Sequence, residues 1–79
     1  MNQSIVEESE LAALAKKYRV EAGKTSAQAA RELGVARPTM HQAEDEPERS
    51  LSKLRKQIIE AYSDYEVIGP VYLLRKKKK

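Results

Sequence analysis

Residues 26–45 of the chain read SAQAARELGVARPTMHQAED, and this stretch decides which fold the sequence predicts. Its first half has a helical pattern, because Thr25 precedes it and Gln28 follows three residues later, which is the spacing of a capping box. In that arrangement the two side chains satisfy free backbone groups at the start of the helix. Gly34 predicts the end of the helix, since glycine adopts the left-handed backbone conformation without steric cost.

The second half of the stretch predicts another helix after a very short connection. Arg37 begins this helix, and Pro38 falls in its first turn, where the missing amide proton costs nothing. Pro47 limits the helix to about Asp45, because proline cannot continue a helix. The sequence therefore predicts two helices joined by a tight turn.

A helix before this pair is predicted to begin near Ile5 or Glu10 and to end at Ala22. Two starts compete, since Ser4 can form a capping box and Ser9 offers a second cap. Apolar residues of this segment recur at the three- and four-residue spacing of one helix face. They are Leu11, Leu14, Ala15 and Tyr18.

A helix after the pair is predicted to begin at Pro47 or Ser50 and to end near Ser63, with Leu51, Leu54, Ile58 and Ala61 or Tyr62 on one face. The segment 66–74 is rich in β-branched and aromatic residues, which favours a strand. The pair Gly69-Pro70 makes it an edge strand or a tight hairpin.

The chain has 79 residues, no cysteine and a single histidine, His41. That length predicts one domain, 1–75, followed by a basic disordered tail, 76–79. Without cysteine the chain cannot form a disulfide, and one histidine is too few to build a zinc site. The sequence also lacks a glycine-rich phosphate loop and a recognisable pair of catalytic carboxylates. We therefore expect no enzyme activity, no cofactor, no metal ion and no small-molecule substrate.

The charge of the chain is unevenly distributed. Its formal net charge is +3, yet five of its fifteen basic residues are the last five, which leaves ten against twelve acidic residues. No stretch approaches the roughly 18 apolar residues of a membrane span, and the start lacks the layout of a signal peptide. We expect a cytoplasmic protein without a membrane partner.

The stretch 26–45 resembles the helix-turn-helix of the phage repressor and Cro-type regulators. The resemblance rests on Ala30, where a small residue lets two helices cross closely, on Gly34 at the turn, and on Thr25 and Glu44 at the ends of the motif. The apolar positions of the motif fall on Ala29, Leu33, Val35, Met40 and Ala43. The resemblance implies a mainly α, lambda-repressor-like domain of about four helices, with a C-terminal β-strand or short hairpin.

The same resemblance implies a sequence-specific regulator of transcription, acting as a repressor on double-stranded DNA and associated with the nucleoid. The side chains that it places against the bases in the major groove are Arg37, Pro38, Thr39, His41 and Gln42. Those expected to contact phosphates are Lys24, Thr25, Ser26, Arg49, Ser50 and Lys53. Ser26 departs from the family, in which glutamine is common at this position, and is too short to reach a base.

Four acidic residues oppose this function, because they follow the DNA-reading helix and repel phosphate. They are Glu44, Asp45, Glu46 and Glu48, and we expect them to cap the next helix and to remain in solvent. A protein-interaction module, such as an antitoxin or an anti-repressor built on the same helix hairpin, is the alternative function. The acidic body of the chain and its apolar C-terminal segment favour that alternative.

The C-terminal segment also predicts a homodimer. Both of its faces are apolar, and the chain offers no other clear strand to satisfy its backbone groups. We expect the interface to consist of Val67, Ile68, Val71, Tyr72, Leu73 and Leu74. An internal hairpin that turns at Gly69-Pro70 is the alternative.

Overall fold

A computed structural model describes residues 3–69 and 73–78 of the chain. Its helices are α1 (Leu11–Glu21), α2 (Ser26–Leu33), α3 (Arg37–Asp45) and α4 (Ser52–Tyr62), and a single 3-10 turn, Glu8–Glu10, precedes α1. Its strands are β1 (Gln3–Ile5), β2 (Tyr65–Ile68) and β3 (Leu73–Lys76). The predicted fold class is confirmed, since the described chain is mainly helical, with four helices and a C-terminal pair of antiparallel strands.

The helix pair α2 and α3 forms as the sequence predicts. The amide of Gln28 donates to Thr25 Oγ1 at 3.1 Å, and the amide of Thr25 donates to Gln28 Oε1 at 2.9 Å, which completes the capping box. Gly34 ends α2 with a φ of 70°, in the left-handed region. Pro38 lies in the first turn of α3. Local chemistry at each end of these helices therefore fixes the short turn between them.

The core lies between all four helices and one face of the sheet. Helices α1 and α4 pack against each other, α3 packs on α1 and α2, and β2 lies on α4. The fully buried apolar side chains include Leu11, Ala15, Ala29, Met40, Ala43, Ile58 and Ile59. Ala30 is 4% exposed, and Leu33 and Val35 pack on the core from its edge. The apolar positions of the helix-turn-helix pattern thus all contribute to the core.

The three strands form one antiparallel sheet in the order β1-β3-β2. Val67 is in register with Leu74, and both are almost completely buried, with 4% and 3% of their surface exposed. The premise of the predicted dimer is therefore wrong, because the strands find their partners within the chain. Alternation along a single strand predicts Val67 and Leu74 on opposite faces, because they are seven residues apart, whereas the hairpin brings both to the core face. Val71 and Tyr72 lie outside the described residues.

The remaining interface residues occupy the same hairpin. Ile68 is half-buried and is in register with Leu73. Strand β3 continues to Lys76, and the amide of Lys77 donates to the carbonyl of Asp64 at 2.6 Å. The prediction of a disordered tail from residue 76 is therefore wrong for Lys76 and Lys77, which extend the strand pairing instead.

The start of the chain differs most from its prediction. Ser4 lies in β1 and Ser9 in the 3-10 turn, so neither residue caps α1, which begins at Leu11 after Glu10. The predicted start near Ile5 is wrong, because residues 3–5 pair with β3 instead of entering the helix. None of the helices in the described chain is long and apolar enough to cross a membrane.

Candidate nucleic-acid interface

The outer face of α3 carries the predicted base-reading side chains. Arg37, Pro38 and His41 are exposed, and Thr39 and Gln42 are half-buried at the border of this face. The opposite face of the helix holds Met40, Ala43 and Glu44 in the interior. The helix therefore presents the five predicted side chains along one accessible side of the domain.

Arg37 on this face has a charged side chain without a partner among the described residues. It is the first residue of α3, where the positive end of the helix dipole disfavours a cation. Among the described residues, it makes no hydrogen bond and no ion pair, whereas Arg19, Arg49, Arg55 and Arg75 all have partners. Its guanidinium is thus free to bind an external acceptor.

Glu44 is buried and bound by an arginine of α1. Arg19 donates from Nε to Glu44 Oε2 at 2.6 Å and from Nη2 to Oε1 at 2.9 Å, and only 10% and 1% of the two side chains is exposed. The hydrogen bond to Glu44 raises the pKa of Arg19 above its usual value. The expectation that Glu44 remains in solvent is therefore wrong, because the pair joins α3 to α1.

The same arginine also holds the connection between α1 and α2. Its Nη1 donates to the carbonyl of Lys24 at 2.7 Å. A single side chain thus sets the position of α3 and of the residue before the α2 cap. The pair fixes the outer face of α3 relative to the N-terminus of α2, which carries Thr25 and Ser26.

Arg55 supports the other side of the C-terminal end of α3. It is completely buried on α4 and donates from Nε to the carbonyl of Ala43 at 2.7 Å. Its two terminal nitrogens donate to the carbonyls of Arg49 and Glu46, both at 2.7 Å. A buried cation is favourable here, because the C-terminal end of a helix is its negative pole. Arg55 thereby ties the loop between α3 and α4 to the core.

The other acidic residues near α3 are largely compensated by nearby cations. Lys16 Nζ lies 3.1 Å from Asp45 Oδ1, and Arg49 Nε lies 2.5 Å from Glu46 Oε1. Three of the four residues of the acidic cluster are therefore paired with a cation, and the fourth, Glu48, is exposed.

The predicted phosphate-binding residues occupy two separate places. Lys24, Thr25 and Ser26 lie at the start of α2, whereas Arg49, Ser50 and Lys53 lie in the loop before α4 and in its first turn. Ser50 and Lys53 are exposed. Arg49 is occupied by Glu46, as described above.

Lys24 belongs to a polar network on the surface of α2 and α4. Its Nζ lies 2.8 Å from Glu32 Oε2, and the hydroxyl of Tyr62 donates to Glu32 Oε1 at 2.5 Å. Lys24, and then Tyr62, lower the pKa of Glu32. Burial, together with the bond to this carboxylate, raises the pKa of Tyr62 to about 12. Lys24 must exchange Glu32 for a phosphate in order to bind DNA.

Sequence reasoning missed Arg19 and Arg55 as the residues that position α3. A signal for each exists, because Arg19 continues the four-residue spacing of Leu11 and Ala15 into the apolar face of α1. Arg55 likewise lies between Leu54 and the buried isoleucines of α4. An arginine inside an apolar stripe indicates a buried partner.

Comparisons with known proteins add nothing to this geometry. No family model matches the sequence, and neither the curated proteins nor the solved structures contain a match. Within residues 3–69 and 73–78, no three histidine or acidic side chains lie close enough together to hold a metal ion.

Proposed function

We propose that this protein is a sequence-specific DNA-binding regulator of transcription, a repressor that reads the major groove with the outer face of α3. The observation that carries this proposal is Arg37, whose exposed guanidinium has no partner within residues 3–69 and 73–78 and stands at the start of a helix, where the helix dipole disfavours it. A cation at this position lowers the stability of the helix. Binding of the guanidinium to an external anion or hydrogen-bond acceptor explains an arginine at this position.

The dimensions and side chains of α3 suit base reading. An α-helix with its side chains is about 10–12 Å across, which fits the major groove, about 12 Å wide. Arg37 would donate two hydrogen bonds to a guanine, Gln42 would pair with an adenine, and Thr39 would contact a thymine methyl group. Pro38 and His41 complete the surface that faces the bases.

The surroundings of α3 favour contact with the DNA backbone. The capping box leaves the first amides of α2, those of Ser26 and Ala27, pointing away from the helix, and such amides bind phosphate. The ion pairs of Glu44, Asp45 and Glu46 remove most of the repulsion that their charges would otherwise exert. This function places the protein in the cytoplasm, on the nucleoid.

The test is a comparison of specific with non-specific binding. A preferred duplex is first selected from a randomised library, and Kd values are then measured for this duplex and for a scrambled one at the same salt concentration. We expect Arg37→Ala to reduce the preference for the selected duplex by about 1–3 kcal/mol. The reduction arises because its bonds to a base are lost, whereas phosphate contacts serve both duplexes equally.

Arg31→Ala is the matched control, because Arg31 is exposed on α2 and its side chain makes no hydrogen bond or ion pair among the described residues. It removes the same charge from another helix and should weaken both duplexes by similar factors. An equal loss of preference in the two variants would show that α3 does not read bases. Failure to select any duplex would instead favour the protein-interaction module.

A further inference from the structure

The sheet has two outer edges, and side chains of the domain cover one of them. The order β1-β3-β2 makes β1 and β2 the edge strands. The amides of Tyr65 and Val67 point outward from β2, and both are covered, by Ser63 Oγ at 3.1 Å and by Glu60 Oε2 at 3.0 Å. Side chains that occupy edge amides in this way prevent a further strand from pairing there.

The edge of β1 lies on the opposite side of the sheet. In an antiparallel ladder, successive residues turn their backbone groups to opposite sides. Because Val67 turns away from β3, its register partner Leu74 turns toward β1 and meets Ser4. The amides and carbonyls of Gln3 and Ile5 therefore face outward, away from β3.

The side chain of Ile5 adds an apolar group to this open edge. It is 77% exposed, more than Val20, the other large apolar side chain that is exposed in the described chain, at 56%. Ile5 is in register with Leu73, which in turn is in register with Ile68 on β2. The open backbone and the exposed isoleucine thus coincide on one short strand.

The charges at the two ends of β1 are opposite in sign. The exposed Glu7 follows the Ile5 end, whereas Gln3 is in register with Arg75, next to the exposed Lys76. Because Arg75 is paired with Glu66, the positive charge of this end comes from Lys76. An antiparallel neighbour of identical sequence would bring its basic end beside this acidic end, and the reverse. The edge is therefore self-complementary in hydrogen bonding and in charge.

We propose that the outer edge of β1 binds β1 of a second copy of this chain, in an antiparallel pair about a two-fold axis. Gln3 of each copy would exchange two backbone hydrogen bonds with Ile5 of the other, and Ser4 would lie on the axis. The two three-stranded sheets would become one continuous sheet. This interface does not include the buried Val67 and Leu74, and it does not depend on DNA binding.

Sedimentation equilibrium of the full chain without DNA tests the interface. Because the paired segment is short, we expect a weak dimer, with a Kd on the order of 10–100 µM. Ile5→Lys should raise that Kd by about tenfold or more, since a lysine on an edge strand disfavours pairing. Val20→Lys is the matched control on α1 and should leave the Kd unchanged.

A second variant separates strand pairing from a simple apolar contact. Gln3→Pro removes an outward amide but keeps the Ser4 pairing with β3, and it should also raise the dimer Kd, whereas an apolar contact alone would survive it. The proposal is overturned if the wild-type chain remains a monomer up to about 1 mM. It is equally overturned if Val20→Lys weakens the dimer as much as Ile5→Lys.

Discussion

The two halves of α3 are held in opposite ways. At the C-terminal half, Arg19 binds the buried carboxylate of Glu44, and Arg55 binds the carbonyls of Ala43 and Glu46. At the N-terminal half, Arg37 is exposed and has no partner among the described residues. The difference shows that contacts with the rest of the domain hold the C-terminal half of α3, whereas the side chain of Arg37 can be replaced without breaking such a contact.

Breaking the anchored half should have the largest effect. We expect Arg19→Ala to lower the free energy of unfolding by about 3–5 kcal/mol, because it leaves the carboxylate of Glu44 buried without its cation. A loss of this size is a large part of the stability of a small domain, so the variant should unfold at a much lower urea concentration than the wild type. Urea unfolding followed by circular dichroism measures the loss.

A double variant tests the physical cause of that loss. Arg19→Met combined with Glu44→Leu removes both charges and fills the site with apolar side chains. It should recover most of the lost stability, since an apolar pair often replaces a buried ion pair at little cost. A double variant as unstable as Arg19→Ala would mean that the bond from Arg19 to the Lys24 carbonyl matters more than the ion pair.

The second anchor should be weaker. We expect Arg55→Met to lower the free energy of unfolding by about 2–3 kcal/mol, because carbonyls around the end of α3 lose a charged donor. The carbonyls of Glu46 and Arg49 bond to Arg55 in a partly buried setting, so water can replace part of the loss. Arg49→Met is the control at an exposed arginine and should leave thermal unfolding unchanged. If Arg55→Met lowered the free energy of unfolding less than Arg49→Met, Arg55 would not be an anchor of α3.

The sequence predicts the free half of α3 better than the anchored half. Thr25, Gln28, Gly34 and Pro38 act on the backbone within a few residues, so local chemistry alone places the ends of α2 and α3. Exposed positions on α3 then follow from helical periodicity. These inferences need no knowledge of the rest of the chain.

The anchors depend on contacts that are distant in sequence. Arg19 and Glu44 are 25 residues apart, and a sequence pattern gives their charges but not their burial. The sequence does not predict the three-stranded sheet, for the same reason. The three residues of β1 are too few to show a strand period, and the β3 residues that pair with them, such as Leu74, lie near the other end of the chain. The predicted dimer rests on the premise that no other strand is available to the C-terminal segment, and β1 contradicts that premise.

The smallest effect concerns the free half of α3, where stability and function should change in opposite directions. Arg37 is the first residue of α3, and a carboxylate at that position interacts favourably with the helix dipole, whereas a guanidinium does not. We therefore expect Arg37→Glu to raise the free energy of unfolding by about 0.3–1 kcal/mol. The same variant should abolish preference for the selected duplex, because it replaces a base donor with an anion that repels phosphate. Thermal unfolding at low salt, together with the two-duplex Kd comparison, measures both changes. A destabilised Arg37→Glu variant would show that Arg37 supports the fold, and the contrast between the two halves of α3 would then be lost.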